Sequence, residues 1–249
     1  MAYASCPYKI VQEPKGVYVI EITSSKSRAN LQPVIVSDLE TNNDVYKRLN
    51  PRFIVNAGFF DPKNQKTVSY VTIDGKVVLD PKQNENLMSN VALKPYIQKI
   101  LNRSEFRILE DDKGKIVYDI AAHYDAIPEG YKIKHSIQAG PMLVPALRLE
   151  EEFFILKRDG KIISESASSL HKYARTAIGI KKNRVFIIIA TNDYPMTLEE
   201  LADFARSMEL EKAMAFDGGG STSFDSQELH IISEKDNQAR KLKSFLILK

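Results

Sequence analysis

Nine short runs of β-branched and aromatic residues recur along almost the whole chain, and they constrain its fold more than any other feature. They are Val17 to Ile22, Pro33 to Val36, Phe53 to Val55, Tyr70 to Ile73, Ile116 to Ile120, Phe153 to Leu156, Thr176 to Ile180, Val185 to Ala190 and Phe245 to Leu248. Such runs read as strands. Asp74-Gly75 and Asp159-Gly160 fall between apolar segments, where a glycine at positive φ reverses the chain. Lys181-Lys182-Asn183 separates two further runs, with Asn183 tolerating the left-handed region. Three hairpins are expected, so antiparallel pairing should be common. Val185 to Ile189 is apolar at every position, which predicts burial on both faces.

Helices are fewer. Thr197 and Glu200 have the spacing of a capping box, and Leu198, Leu201, Ala202, Phe204 and Ala205 form an apolar stripe of period 3.6 running to about Met208. Shorter helices are predicted around Val45 to Leu49 and Lys94 to Leu101. Long strand-rich stretches with scattered helices favour an α+β fold of mixed, largely antiparallel sheets over βαβ alternation. There is no repeat and no Pro, Gly and Ser linker. The polar segment Asn102 to Lys115 is the one stretch suited to a boundary, and it reads as a loop within a single domain covering 1–249.

Composition excludes several classes of protein. A chain of 249 residues, 43% hydrophobic and 27% charged, buries roughly 70 to 75% of its unfolded surface and needs no disulfide or metal to hold a core. The single cysteine, Cys6, removes any internal disulfide framework or multi-thiolate zinc site. Lys and Arg number 35 against 32 Asp and Glu, with no long basic block, so no nucleic-acid partner is expected. No segment approaches the roughly 20 apolar residues that span a bilayer. Tyr3-Ala4-Ser5-Cys6 resembles the end of a lipoprotein signal, though a free thiol near a terminus fits as well. The expectation is export to the periplasm or cell envelope if an upstream signal has been removed, and a cytoplasmic protein otherwise. Asn102-Arg103-Ser104 matches a glycosylation acceptor, a pattern too common to decide anything.

Glycines cluster where apolar strands end. Phe53 to Val55 runs into Asn56-Ala57-Gly58-Phe59-Phe60, Ile137-Gln138 into Ala139-Gly140-Pro141-Met142, and Ala213 to Phe216 into Asp217-Gly218-Gly219-Gly220-Ser221-Thr222. A glycine there permits a sharp turn or close approach of a ligand, and for Gly58 and Gly140 either reading holds. The triple glycine points more firmly to a ligand, because consecutive amides can form an anion-binding concavity while Asp217 holds a carboxylate at the same edge. It is no P-loop, since no Lys follows, and no G-x-S-x-G marks Ser221 as a nucleophile. Arg175, beside Thr176 at the start of a strand, sets a permanently charged fork at the rim of the core, suited to phosphate or carboxylate or to a surface acid. His171 lies in a polar stretch and suits a solvated loop histidine or a proton carrier. His123, His135 and His230 have no metal-ligand spacing, so neither metal nor other cofactor is expected.

In order along the chain, these segments resemble the phosphodiester glycosidase domain family. Asn56 to Phe60 is similar to the family's N-A-G-x-F turn, Gly140 to Leu143 to its G-P-x-L segment and Arg175 to Gly179 to its R-T-A-x-G strand. Thr197 to Ala202 is similar to its T-x-x-E-L-A helix, Asp217 to Ser221 to its D-G-G-G-S turn, and Arg240 to a basic residue before its last strand. The similarity covers 53–249. Two departures fall near the site: Thr191-Asn192-Asp193 stands where many members have Asp-Gly-Arg, and Tyr173-Ala174 where a His-Pro pair often precedes the arginine.

The resemblance implies hydrolysis of a sugar joined through its anomeric oxygen to phosphate, in a small-molecule or glycan phosphodiester. Asp217 would serve as general base or stabiliser of an oxocarbenium-like sugar, with Arg175 and the amides of Gly218, Gly219 and Gly220 binding the departing anion. Asn56, Gly58, Gly140, Thr176 and Ser221 would complete the substrate site. A second carboxylate would come from Asp61, Glu165 or Asp193, among which the sequence does not choose. The alternative is a noncatalytic saccharide or cell-envelope binding module on the same fold.

Overall fold

The computed structural model describes residues 7–12, 14–22, 30–166, 168–233 and 238–249; Tyr3, Ala4, Ser5 and Cys6 lie outside them. The architecture is more strand-rich than a balanced α+β fold, with 45% strand against 16% helix. Every ladder among the described residues is antiparallel, so the expected mixture of strand directions is replaced by hairpins and their antiparallel neighbours.

Three sheets carry the structure. The first, six-stranded, runs in the order Tyr8–Gln12, Val17–Ile22, Arg184–Ala190, Arg175–Lys181, Lys212–Ala215, Met142–Val144. The second has five strands, His230–Ile232, Ser223–Ser226, Phe53–Asn56, Lys241–Leu248 and Leu31–Thr41. The third, also five-stranded, comprises Lys76–Leu79, Val71–Ile73, Tyr131–Gln138, Ser104–Asp111 and Ile116–Ala122. A separate hairpin pairs Ile155–Arg158 with Lys161–Glu165. One apolar cluster draws on all three sheets, including Ile20, Ile178 and Met214 from the first, Phe53, Phe224 and Leu246 from the second, and Val71, Phe106 and Ile137 from the third.

The predicted hairpin turns are present. Asp74 and Gly75, Asp159 and Gly160, and Lys182 and Asn183 all take positive φ, the twist that matches flanking strands. Val185, Ile187, Ile188 and Ile189 are fully buried, with Phe186 half-buried. The helix Leu198–Ser207 begins with the predicted box: the Glu200 amide donates to Thr197 Oγ1 (3.1 Å) and the Thr197 amide to Glu200 Oε2 (2.9 Å). Its apolar stripe packs Leu198, Leu201, Ala202 and Ala205 against Leu143, Ala177 and Ala213 on the first sheet.

The segment Asn102 to Lys115 corrects the sequence reading. Instead of a loop within the domain, it contains the strand Ser104–Asp111, an interior strand of the third sheet flanked by Tyr131–Gln138 and Ile116–Ala122, with Glu105 and Arg107 buried. Residues two apart on a strand share a face, so these charges meet: Arg107 Nε lies 2.7 Å from Glu105 Oε1. Arg107 Nη2 also donates to the Ala122 and His123 carbonyls. A strand with such an internal pair looks polar in sequence while lying in the core.

Candidate functional site

Antiparallel register gathers one end of the first sheet into a site. Ala177 faces Ala215, and Met142 faces Met214. The start of Arg175–Lys181, the exit of Lys212–Ala215 and the approach to Met142–Val144 therefore lie side by side. Backbone bonds fix the exits: Gly140 N donates to Ala215 O (3.0 Å), Phe216 N to Thr176 O (2.8 Å) and Gly219 N to Ala174 O (2.8 Å). The second sheet joins here, because the Asp217 amide donates to Ala57 O (2.9 Å).

A cavity of about 480 Å³ opens at this edge. Gly140, Arg175, Asp217, Gly218, Gly219 and Gly220 line it, joined by Phe59, Phe154, Ser168, Tyr173, Asn192, Ser233 and Arg240. Arg240, Tyr173 and Asn192 stand out in the sequence only through the family pattern. Phe154 and Ser233 carried no signal, since one lies in an ordinary apolar run and the other in an unremarked polar one. Ser233 Oγ is buried without a hydrogen-bond partner among the described residues.

Asp217 is the carboxylate on this wall. Burial pushes its carboxyl up to about 6. The Ser221 hydroxyl, the Arg240 charge, the Gly218 amide and the Arg175 charge hold it below what burial alone would give. The Gly218 amide donates to Asp217 Oδ1 (3.0 Å), and the Ser221 hydroxyl lies buried beneath the same turn.

The other candidates divide between wall and support. Asn56 is fully buried, donating from Nδ2 to the Asp217 carbonyl (2.5 Å) while its Oδ1 accepts from Thr176 Oγ1 (2.8 Å) and the Ser223 amide (3.1 Å). Asn56 and Thr176 thus brace the acid from behind the cavity. Gly58 also sits behind it, where a Cβ would meet Ser244 Oγ and Ser69 Cβ at 3.0 Å. Ser221 is buried below the turn. At Gly140, with φ of +102°, a Cβ would come within 2.3 Å of Glu152 Oε2.

Arg175 is 4% exposed, and much of its fork is engaged by protein: Nε donates to the Met196 carbonyl (2.9 Å) and Nη2 to the Ser168 and His171 carbonyls (both 2.7 Å). The expected division between a ligand partner and an acidic one is therefore incomplete, since backbone carbonyls take part of the fork. The glycine turn is similar. Gly218 N serves Asp217 and Gly219 N serves Ala174, leaving Gly220 N without a partner among the described residues. A single 3₁₀ turn, Gly219–Ser221, follows where no helix was predicted.

None of the three candidates for a second carboxylate lines this cavity. Asp61 accepts from the Lys63 amide and Asn86 Nδ2, and Asp193 lies in a groove beside the helix Leu198–Ser207. Glu165 is the nearest in influence: its charge acts on Arg175, and it lies 3.1 Å from His171 Nε2. No motif singles out Glu152, a buried carboxyl pushed up by burial, which accepts from Ser104 N, Ser104 Oγ and Met142 N behind Gly140. No helix among the described residues is long and apolar enough to cross a membrane.

A family model described as phosphodiester glycosidase matches residues 50–249. No curated protein sequence matches the chain. Among solved structures, it is similar to a hypothetical protein from Synechocystis (TM-score 0.65, 13% identity), covering 97% of this chain and 61% of that one. It is similar as well to the catalytic domain of zebrafish N-acetylglucosamine-1-phosphodiester alpha-N-acetylglucosaminidase, auto-inhibited by its pro-peptide (TM-score 0.65, 15% identity), covering 97% and 81%. A Burkholderia pseudomallei protein described as exported gives a TM-score of 0.63 at 14% identity, over 93% and 73%.

Proposed function

The chain belongs to the phosphodiester glycosidase family, and we propose that it hydrolyses a sugar from a sugar 1-phosphodiester by attack of water at the anomeric carbon. The observation that carries this reading is the convergence of Asp217, Arg175, Arg240 and the triple-glycine turn on one cavity. A phosphodiester leaving group is a weak base, so neutralising its growing charge matters more than protonating it. Arg240, Arg175 and the Gly220 amide supply positive potential on that side, aimed at charge that develops in the transition state.

Asp217 works at the sugar. With its carboxyl near 6, it is largely ionised at neutral pH and serves as general base for water or as a negative charge beside the oxocarbenium-like centre. Asn56 and Thr176 are positioning residues for it. Among Asp61, Glu165 and Asp193 none lines the cavity, so the mechanism proposed places its catalytic charge on Asp217. The zebrafish relative's name directs the substrate search first to N-acetylglucosamine, and the class proposed is a small-molecule or glycan phosphodiester.

One observation favours the noncatalytic alternative: Asp217 is the only acidic residue lining the cavity among the described residues. A binding module would need no second carboxylate. Purified protein incubated with a panel of sugar 1-phosphodiesters separates the readings. Release of free sugar that Asp217→Asn abolishes supports the enzyme, whereas saturable binding without release supports the module.

A further inference from the structure

The Phe59 and Phe154 rings wall the cavity just described, and the guanidinium stacked on them lines a different one. Arg103 is 7% exposed, with its Cζ 4.0 Å from the Phe154 ring centroid and 5.6 Å from that of Phe59. The second cavity, of about 630 Å³, is lined by Arg103 together with Lys63, Asn90, Leu93 and Phe153. The proposed hydrolysis makes no use of it.

Arg103 is incompletely satisfied. Nε donates to the Glu152 carbonyl (2.9 Å) and Nη2 to the Phe153 carbonyl (3.2 Å), while Nη1 has no hydrogen-bond partner among the described residues. No carboxylate there forms an ion pair with it, although the field of Glu152 partly offsets the burial that pushes the group down to about 10. Arg107, buried more deeply still, is paired directly with Glu105. A buried cation with no direct ion pair and with unused donors is costly unless an anion completes it.

The surroundings suit such an anion. Lys63 stands exposed on the rim with no ion pair among the described residues, and Asn90 Nδ2 is without a partner there. The one acid on the lining, Asp61, has both oxygens engaged, one by the Lys63 amide and one by Asn86 Nδ2. Leu93 and Phe153 offer apolar surface beside the charge.

We infer that this second cavity binds a small organic molecule through a phosphate or carboxylate group seated on Arg103, with Lys63 steering it from the rim. A guanidinium fork matches either oxyanion. The site is independent of the hydrolysis reading and stands or falls without it.

The test follows the Arg103 Nε–H resonance of the full chain labelled with ¹⁵N-arginine, using inorganic phosphate and glycerol 3-phosphate as probes. The resonance is assigned by its loss in Arg103→Lys or, if that variant does not fold, by its contact with the Phe154 ring. Both probes shift it saturably, and the ester binds more tightly because its carbon body meets Leu93 and Phe153. Lys63→Glu, a surface change that leaves Arg103 in place, weakens both affinities by about tenfold. A resonance unmoved by either probe, or a response indifferent to Lys63→Glu, overturns the inference. Equal affinity for the two probes overturns the organic ligand and leaves an ion site.

Discussion

Asn56 Nδ2 donates to the backbone carbonyl of Asp217, 161 positions later in the chain, at 2.5 Å. The same amide accepts through Oδ1 from Thr176 and Ser223, so one buried side chain ties the second sheet to the turn that presents the acid. Asn56→Asp keeps an acceptor but removes the donor and adds a buried charge facing a carbonyl. Chemical denaturation should show a loss of about 2 to 4 kcal/mol, the range for an unpaired buried polar or charged group. Any activity that survives should fall through kcat more than KM, because the displaced group is Asp217. A variant as stable and active as the parent would remove Asn56 from this role.

Asp217→Asn should abolish turnover and stabilise the fold at neutral pH. The sign follows from linkage: an acid whose folded pKa is raised from 3.8 to about 6 binds its proton more tightly when folded. Its ionised form therefore lowers stability, fully above pH 6 and not at all below pH 4. The variant should be more stable than the parent at pH 7.5 by about 1 to 3 kcal/mol, with the gap closing as pH falls through 6. Thermal melts across that window check this, and a gap independent of pH contradicts it.

Arg175→Ala should cost stability as well as activity. Three carbonyls, of Met196, Ser168 and His171, lose their donor together. The expected loss is about 2 to 4 kcal/mol. Arg175→Lys should recover part of the stability and little of the rate, since an ammonium cannot reproduce the fork. Unchanged melting in Arg175→Ala would assign the residue to ligand binding alone.

Two glycines of the site should differ in tolerance. Gly219, at φ +59°, has open space where a Cβ would sit, so Gly219→Ala carries only the left-handed penalty of about 1 to 2 kcal/mol. Gly140→Ala adds a contact at 2.3 Å with Glu152 Oε2 and should be clearly more destabilising in the same denaturation assay. Equal effects would mean that the Glu152 side chain yields freely.

Much of this architecture was legible because its signals are local. Hairpin turns need positive φ, and Asp-Gly and Lys-Asn announce it; the box at Thr197 and Glu200 names its helix; glycines at strand ends mark the wall of the site. What escaped depends on partners distant in sequence. Ser104–Asp111 looked like a loop because Glu105 and Arg107 neutralise each other inside the sheet, and a charge pattern does not reveal its own pairing. Asn56 read as a ligand-facing amide because nothing local shows that Asp217, Thr176 and Ser223 surround it. The Gly219 amide escapes for the same reason, its acceptor being the distant Ala174 carbonyl, whereas Gly218 N is taken by the carboxylate of its own neighbour, Asp217.

The bond that breaks decides whether the chain is a glycosidase. If Asp217 directs water to the anomeric carbon while the cations hold the departing phosphate, carbon–oxygen cleavage places solvent oxygen in the sugar. Hydrolysis of a sugar 1-phosphodiester in ¹⁸O water, quenched early and compared with free sugar incubated alone to correct for exchange through ring opening, resolves this by mass spectrometry of both products. Label is expected in the sugar beyond the exchange control and none in the phosphate; label in the phosphate would rule out attack at the anomeric carbon.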